Sequence, residues 1–528
     1  MAEYLIQDYT MEALANQARR VSGTTGELSG AEIAEIISKV DGKANLDGKY
    51  LIKAVNNTGT ALKLGMYDEG QIFALPTEKP ISSIDTFQEW VSPIPSNKHF
   101  LTVKNMPTVV GAVMTPNEDV LVIGILTTEN NKTVTFNFWR PSGLFIDWGD
   151  GTTEICESSS SSAISHTYSQ SDTYYYIKIP KHDGLNTLTT CLTEDLTTAS
   201  MLYHISVPTW ISQYFYIHDL TMVIPDDSTG LRSISISKGA MSYLGNMCKN
   251  NKRLQCAIIP SSIKTLYGTF NGCHDLSNVI LPYGLEKIDQ FTFEDCYNLE
   301  NIIIPATVTD IVVYLTLDCG HFDENEEYIG NLKAFFVDED NPNYSNDGQG
   351  ILYNKDKTTL VRVPCSLTNI TIPNDVTVIG NWAFYRNNIA SITIPDNVIS
   401  INKEAFKYCG ALKNVVIGNG VTTIGKSAFS TCSMLESVVI GNGVTTIGDY
   451  AFYINGTNKI KTIEIPASVT AIGKNIFSPN NSPNIVFENP NGWYVTQTEG
   501  ATSGINVDVS NGKAAWYQYR DYYWYRTQ

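Results

Sequence analysis

The sequence predicts a mainly β, multidomain protein: a repeat solenoid fills its second half, a β-sandwich precedes it, and a short helical hairpin opens the chain. Three observations carry this. First, an apolar frame recurs from Leu367: Leu367, Ile370, Ile372, Pro373, then Ile389, Ile392, Ile394, Pro395, then Leu412, Val415, Ile417, Gly418, then Leu435, Val438, Ile440, Gly441, then Ile460, Ile463, Ile465, Pro466. The Pro/Gly marks lie 22, 23, 23 and 25 residues apart, and a Phe follows each by 11 residues (Phe384, Phe406, Phe429, Phe452, Phe477). A fixed period of this size is the signature of coils that bury their apolar side only against their neighbours. Second, Val134, Phe136 and Phe138 alternate ahead of a Trp148-Gly149-Asp150-Gly151-Thr152 turn, the pattern of half-buried strands joined tightly. Third, residues 1–43 carry two apolar stripes at helical spacing.

Bulk properties narrow the function classes. The 528 residues allow several domains, and 43% hydrophobic content supports real cores. A formal charge of -18, with no basic stripe, argues against nucleic acid as a partner. No stretch approaches the ~18 apolar residues of a membrane helix, so no membrane insertion is expected. The start of the chain lacks a cationic segment followed by a long apolar run, so the expectation is a product made in the cytoplasm.

Taken in order, Thr10 caps a first helix whose apolar positions are Leu14, Ala15, Ala18 and Val21. Residues 22–26, Ser-Gly-Thr-Thr-Gly, make the turn. Ser29 and Glu32 form a capping box for a second helix with Ile33, Ile36, Ile37 and Val40 buried. Helices this short cannot form a core alone, so Leu14, Ala18, Val21, Ile33, Ile36 and Ile37 are candidate anchoring residues. From Tyr9 to Val40 the hairpin resembles a module near the start of tailed-phage structural proteins. Residues 44–130 read as a β-rich domain with strands at 72–75, 100–103 and 121–126. In 131–180 the Trp-Gly-Asp-Gly-Thr turn, the downstream His166-Thr167-Tyr168 and the strand at 174–179 resemble the PKD-like, immunoglobulin-like β-sandwich. Asp147 and Asp150 could ligate calcium, but a turn Asp bonded to nearby backbone amides is the favoured reading. Residues 181–230 are a connector or first atypical repeats.

The solenoid is expected over 231–487, with an insertion at about 311–364 that contains a hairpin turning at Asp347-Gly348. Its motif, seen as Ile417-Gly418-Asn419-Gly420-Val421-Thr422-Thr423-Ile424-Gly425 and Ala428-Phe429, resembles the BspA-like leucine-rich repeat family. Residues 488–528 then form a C-terminal segment covering the open edge of the last repeat. Cys273, Cys296, Cys409 and Cys432 each sit three residues after a repeat Phe. They are one structural column, not a zinc or disulfide framework.

No catalytic constellation is found around the seven histidines, and no enzymatic activity, cofactor or metal is expected. The repeat geometry offers a binding face instead. Side chains alternate on a strand, so the residue between the two inward positions faces out. That column reads Ile258, Ile280, Ile303, Thr371, Thr393, Val416, Val439 and Glu464, beside Cys256, Asn278, Asn301, Asn369, Ser391, Asn414, Ser437 and Thr462. Of these, Ile258, Ile280, Ile303, Thr371, Thr393, Val416, Val439, Asn278, Asn301, Ser391, Asn414 and Ser437 are the candidate binding face. β-Branched residues also favour strands for their own sake. The resemblances together imply a virion protein of a tailed phage, in a tail-fibre, baseplate or decoration role. It would sit as a homo-oligomer on the particle, its N-terminal part against other virion proteins and its solenoid on a host-surface glycan or protein. The alternatives are a BspA-like bacterial cell-surface adhesin and a cell-wall-degrading enzyme on a repeat scaffold. The enzyme would need a carboxylate pair in a cleft.

Overall fold

The computed structural model describes residues 120–182 (without 137–139 and 161), 201, 242–312, 319–322, 328–454, 459–478 and 482–527. It also describes the backbone of strands at 49–55, 61–68, 72–74, 85–91, 100–102, 108–116, 202–207 and 233–236. The expected helical hairpin and its six anchoring residues, Leu14, Ala18, Val21, Ile33, Ile36 and Ile37, lie outside the described residues. The chain divides into two compact units, one of residues 1–319 and 336–342, the other of 320–335 and 343–528.

In the first unit, Lys49–Val55 pairs antiparallel with Ala61–Asp68 and parallel with Thr108–Pro116, which pairs in turn with Asp85–Val91. A second sheet has eight strands, in the order Thr153–Ile155, Phe145–Asp147, Tyr174–Ile179, Leu121–Leu126, Leu202–Val207, Ser233–Ile236, Cys256–Ile258 and Asn278–Ile280. Its pairing is antiparallel up to Leu202–Val207 and parallel from there on. One continuous sheet therefore runs from the Trp-Gly-Asp-Gly-Thr region into the first coils, and the initial edge of the solenoid is hydrogen-bonded instead of bare. Parallel stacking begins at Leu202–Val207, ahead of the start expected at 231. The short strands Tyr243–Gly245, Thr265–Tyr267, Lys287–Ile288 and Asp310–Ile311 stack parallel as the second side of each coil.

Residues 120–182 are built around aromatic rings. Phe136 stacks on Trp148 at 6.2 Å, Trp148 on His166 at 4.8 Å, and Tyr168 on Tyr175 at 4.2 Å. Gly149 sits at φ +80, and a Cβ there would lie 2.6 Å from the Tyr176 carbonyl oxygen. Only glycine meets both demands.

In the second unit an antiparallel meander, Tyr344–Asn346, Leu352–Asn354 and Thr359–Arg362, opens an eleven-stranded sheet. Asp347 holds the hairpin turn. Its carboxylate accepts from the backbone N–H groups of Gln349 and Ile351 and from the Tyr353 hydroxyl, each at 3.0 Å. Val378–Ile379, Ser400–Ile401, Thr423–Ile424, Thr446–Ile447 and Ala471–Ile472 then stack parallel. Tyr523–Arg526 closes the stack antiparallel, followed by Trp493–Thr496 and Ile505–Asn506.

The core of this unit is a file of rings. Phe384, Phe406, Phe429, Phe452 and Phe477 stack successively at 4.4, 4.8, 5.4 and 5.9 Å, and Trp516 meets the last edge-on at 5.9 Å. Two residues before each Phe the backbone is left-handed, at Trp382, Glu404, Ser427, Tyr450 and Asn475. The coils approach so closely that a Cβ on Gly448 would lie 2.6 Å from the Lys426 nitrogen, which explains the Ile-Gly step of the motif. The nine described cysteines are buried and unbridged. Cys409 and Cys432 donate their thiols to the carbonyls of Phe384 and Phe406 in the preceding coil, at 3.0 and 3.1 Å. Asn387 takes the same place after Phe384 and donates to the Pro364 carbonyl at 2.9 Å.

Candidate recognition face

The outward column is laid out by strand alternation. In the second unit Ser391–Ile394, Asn414–Ile417 and Ser437–Val439 pair parallel, with Ser391 beside Asn414 and Ser437, and Thr393 beside Val416 and Val439. Each strand alternates exposed and buried positions. Ile392, Val415 and Val438 point into the core, while Val416 and Val439 remain 41% and 53% exposed. The column continues through Thr462 and Glu464, paired with Asn484 and Val486. Val486, 22 residues beyond Glu464, was not foreseen as a member, although the frame spacing points to it.

Thr371 is exposed and has no strand before it. The Gln349 side chain takes the place of one: its Nε2 donates to the Thr371 carbonyl at 3.1 Å, and its Oε1 accepts from the Thr371 N–H at 3.3 Å. The Gln349 amide thus satisfies both backbone groups of Thr371, which lies outside any strand.

The first unit corrects the expected face. Ile258 and Ile280 are only 4% and 2% exposed, and Asn278, Asn301 and Ile303 are half-buried. The strand Thr108–Pro116 runs against Leu202–Val207, Ser233–Ile236, Cys256–Ile258 and Asn278–Ile280. The N-terminal sheet covers that side, so Ile258 and Ile280 are core residues and offer no free surface. Alternation along a strand does not say what lies against the outer side of the sheet. The available column is Thr371, Ser391, Thr393, Asn414, Val416, Ser437 and Val439, extended by Thr462, Glu464, Asn484 and Val486.

Among the described residues the ionisable groups of the Trp148-Gly149-Asp150 turn serve the turn itself. Asp150 accepts from the Thr152 N–H (3.0 Å) and hydroxyl (2.6 Å), and its Oδ2 lies 2.8 Å from His166 Nε2. Partial burial raises its pKa, but hydrogen bonds from Thr152 and His166 outweigh that and hold it at about 2. Asp147 accepts from the Gly149 N–H at 2.9 Å. Both carboxylates serve the turn they sit in. Among the described residues the carboxylates displaced from their ordinary pKa, Asp150, Glu404 and Asp508, are all displaced downward. A general acid needs the opposite. Burial pushes the Cys248 thiol up to about 12, which makes it inert. No group of three or more His, Cys, Asp or Glu side chains converges as a metal site among the described residues.

The geometry defines a class, a leucine-rich-repeat solenoid of parallel coils. Residues 226–321 and 363–484 match the BspA type leucine rich repeat region in six copies, so the repeats are of that type. A leucine-rich cell surface protein from Faecalibacterium prausnitzii A2-165 is 24% identical over 54% of this chain and 85% of its own, with a TM-score of 0.38. The pneumococcal vaccine antigen PcpA is 18% identical over 55% and 68%, with a TM-score of 0.36. A leucine-rich repeat protein from Eubacterium ventriosum ATCC 27560 is 20% identical over 52% and 89%, with a TM-score of 0.32. No curated protein matches the chain.

Proposed function

We propose that this protein is a bacterial cell-surface adhesin of the BspA-like type that binds its target through the outer sheet face of residues 371–486. The observation that carries the proposal is the column of Thr393, Val416, Val439, Glu464 and Val486 flanked by Ser391, Asn414, Ser437, Thr462 and Asn484, in which Glu464 is the single charge. It is an exposed, nearly uncharged stripe on a chain of formal charge -18. Apolar surface rimmed by small polar side chains is what a protein or glycan face can cover without desolvating charge. The six repeat copies of BspA type support the same reading. Residues 131–180 would serve as a PKD-like spacer, a role supported by the Trp148-His166-Tyr168 cluster.

The virion reading is set aside. It rests on residues 9–40, which lie outside the described residues, whereas the family match falls on the repeats at 226–321 and 363–484. The enzyme reading has no raised carboxylate to support it.

The test uses the full chain on fluorescent beads, scored for attachment to cultured epithelial cells and to extracellular-matrix proteins. The Val416→Asp/Val439→Asp variant is expected to lower attachment about tenfold, as loss of a central contact does. Its thermal unfolding should be unchanged, since both sites face solvent. Wild-type beads that attach no better than bare ones, or a variant that attaches as well as wild type, would overturn the proposal. So would finding the chain in purified phage particles and not on intact bacteria probed with antibody.

A further inference from the structure

We propose that the turn ledge of the second unit, centred on Trp382, Arg386, Lys403, Lys407 and Tyr408, is a binding site for an acidic polysaccharide. These residues are separate from the sheet column, so the inference stands whether or not that face binds.

The first observation is charge. The ledge is made by the turns bracketing each repeat Phe, at 380–388, 402–410, 425–433, 448–454 and 473–478. They hold five cations, Arg386, Lys403, Lys407, Lys426 and Lys474, against two carboxylates, Glu404 and Asp449, in a chain whose formal charge is -18. Glu404 is shared: it accepts from Lys407 at 2.9 Å and Trp382 Nε1 at 3.2 Å, and lies 3.5 Å from Lys403 Nζ. One carboxylate held between two lysines leaves the ledge positive. Its lysines stay open, the Lys403 side chain 49% exposed and Lys407 25%.

The second observation is how the rings are set among these charges. Lys403 Nζ lies 5.3 Å from the Trp382 ring centroid, Lys407 Nζ 5.4 Å from Tyr408, and the Arg386 guanidinium 5.7 Å from Tyr408. Left-handed backbone at Trp382, Arg386, Glu404 and Tyr408 holds them there. Neighbouring turns are tied by Trp382 N–H to Lys403 O at 3.2 Å and Arg386 N–H to Lys407 O at 3.0 Å. The aromatic side chains are therefore fixed by backbone geometry before any ligand arrives.

Cations beside half-exposed rings fit one ligand chemistry best. The carboxylates or sulfates of the polymer accept from Lys403, Lys407 and Arg386, which lie over the Trp382 and Tyr408 rings, and the sugars pack on the ring surface these cations leave open. With coils stacked about 4.8 Å apart, Lys426 and Lys474 continue the line of cations beyond the rings of Trp382 and Tyr408, which suits a linear polymer over a single sugar. Single-stranded nucleic acid also takes rings and cations, but it stacks successive bases on successive rings, and the turn at 425–433 has only the buried Phe429.

The experiment measures binding of the full chain to polygalacturonate and to heparin, with dextran as the uncharged control and poly(rU) as the nucleic-acid control. Binding to at least one acidic polysaccharide, weakened by added salt, is expected. Lys403→Gln/Lys407→Gln should weaken it about tenfold with unchanged thermal unfolding, whereas Lys513→Gln, on the helix Gly512–Tyr519, should not. Attachment of beads to cells through Val416 and Val439 is a separate readout and does not bear on this one. The inference is overturned if neither acidic polysaccharide binds at low salt, if dextran binds equally, if the double variant binds as wild type does, or if poly(rU) is preferred to both.

Discussion

At the scale of single residues, Asp150 shows how a motif that invites a functional reading is used for structure. Its oxygens are engaged by Thr152 and His166, and His166 is clamped between the rings of Trp148 and Tyr168. The carboxyl is held at about 2 in the fold, below its ordinary range. A depressed carboxylate stabilises the fold above its unfolded pKa of about 4, and that contribution fades as pH falls toward 2. Asp150→Ala should therefore cost about 1 kcal/mol at pH 7, a figure reduced for solvent screening, and almost nothing near pH 2. Hydrogen exchange of the strands at 133–136 and 174–179, in wild type and variant at both pH values, measures this. An equal difference at both would mean that the charge is not what Asp150 contributes. Gly149 and the turn role of Asp147 were legible in the sequence because local backbone chemistry dictates them. The His166–Asp150 pair joins residues sixteen apart and needed the fold.

At the scale of elements, the repeat coil is the unit of stability. Each coil contributes one Phe to the file, one inward pair to the sheet, and in several coils one Cys or Asn that bonds a carbonyl of the coil before it. Phe429 lies mid-file, fully buried between Phe406 and Phe452. Phe429→Ala should cost about 3–5 kcal/mol. Because coils touch only their neighbours, it should also weaken coupling along the stack. Urea unfolding followed by circular dichroism is expected to show an earlier, broader transition, and a sharp one at the wild-type midpoint would refute the ring file as the main source of cohesion. The Phe positions, the inward frame and the Cys column were all readable in advance, since period alone places them. The left-handed residues before each Phe were not readable: Trp382, Glu404 and Tyr450 lack glycine's freedom, and only the stacking of the coils imposes that geometry.

At the scale of whole units, a stack of parallel strands must be closed at its ends or it will recruit more strands. In the second unit the meander of 344–362 closes one end and Tyr523–Arg526 the other, with Trp516 packed on Phe477, the last Phe of the file, and Trp524 stacked on Trp516 and Phe487. Trp516→Ala/Trp524→Ala is expected to loosen this closure and expose Ile472 and Phe477, giving concentration-dependent assembly. Light scattering after size-exclusion chromatography measures it, and a variant that stays the size of wild type at high concentration would show that the strand alone suffices. In the first unit closure takes another form, with the eight-stranded sheet carrying the first coils directly onto the antiparallel strands at 121–179.

The sequence by itself determined the repeat period, which side chains point inward, the site of the hairpin at Asp347 and the presence of a closing segment. These follow from alternation, spacing and turn chemistry, all local along the chain. Only the tertiary structure decided which part of the outward column is free. Ile258 and Val416 occupy equivalent positions in their coils, yet one is buried beneath the strand at 108–116 and the other faces solvent. What covers a sheet is contributed by residues more than a hundred positions away, and no periodicity records that. The ledge around Trp382 was hidden for the same reason, since its cations and rings come from successive coils and meet only when those coils stack.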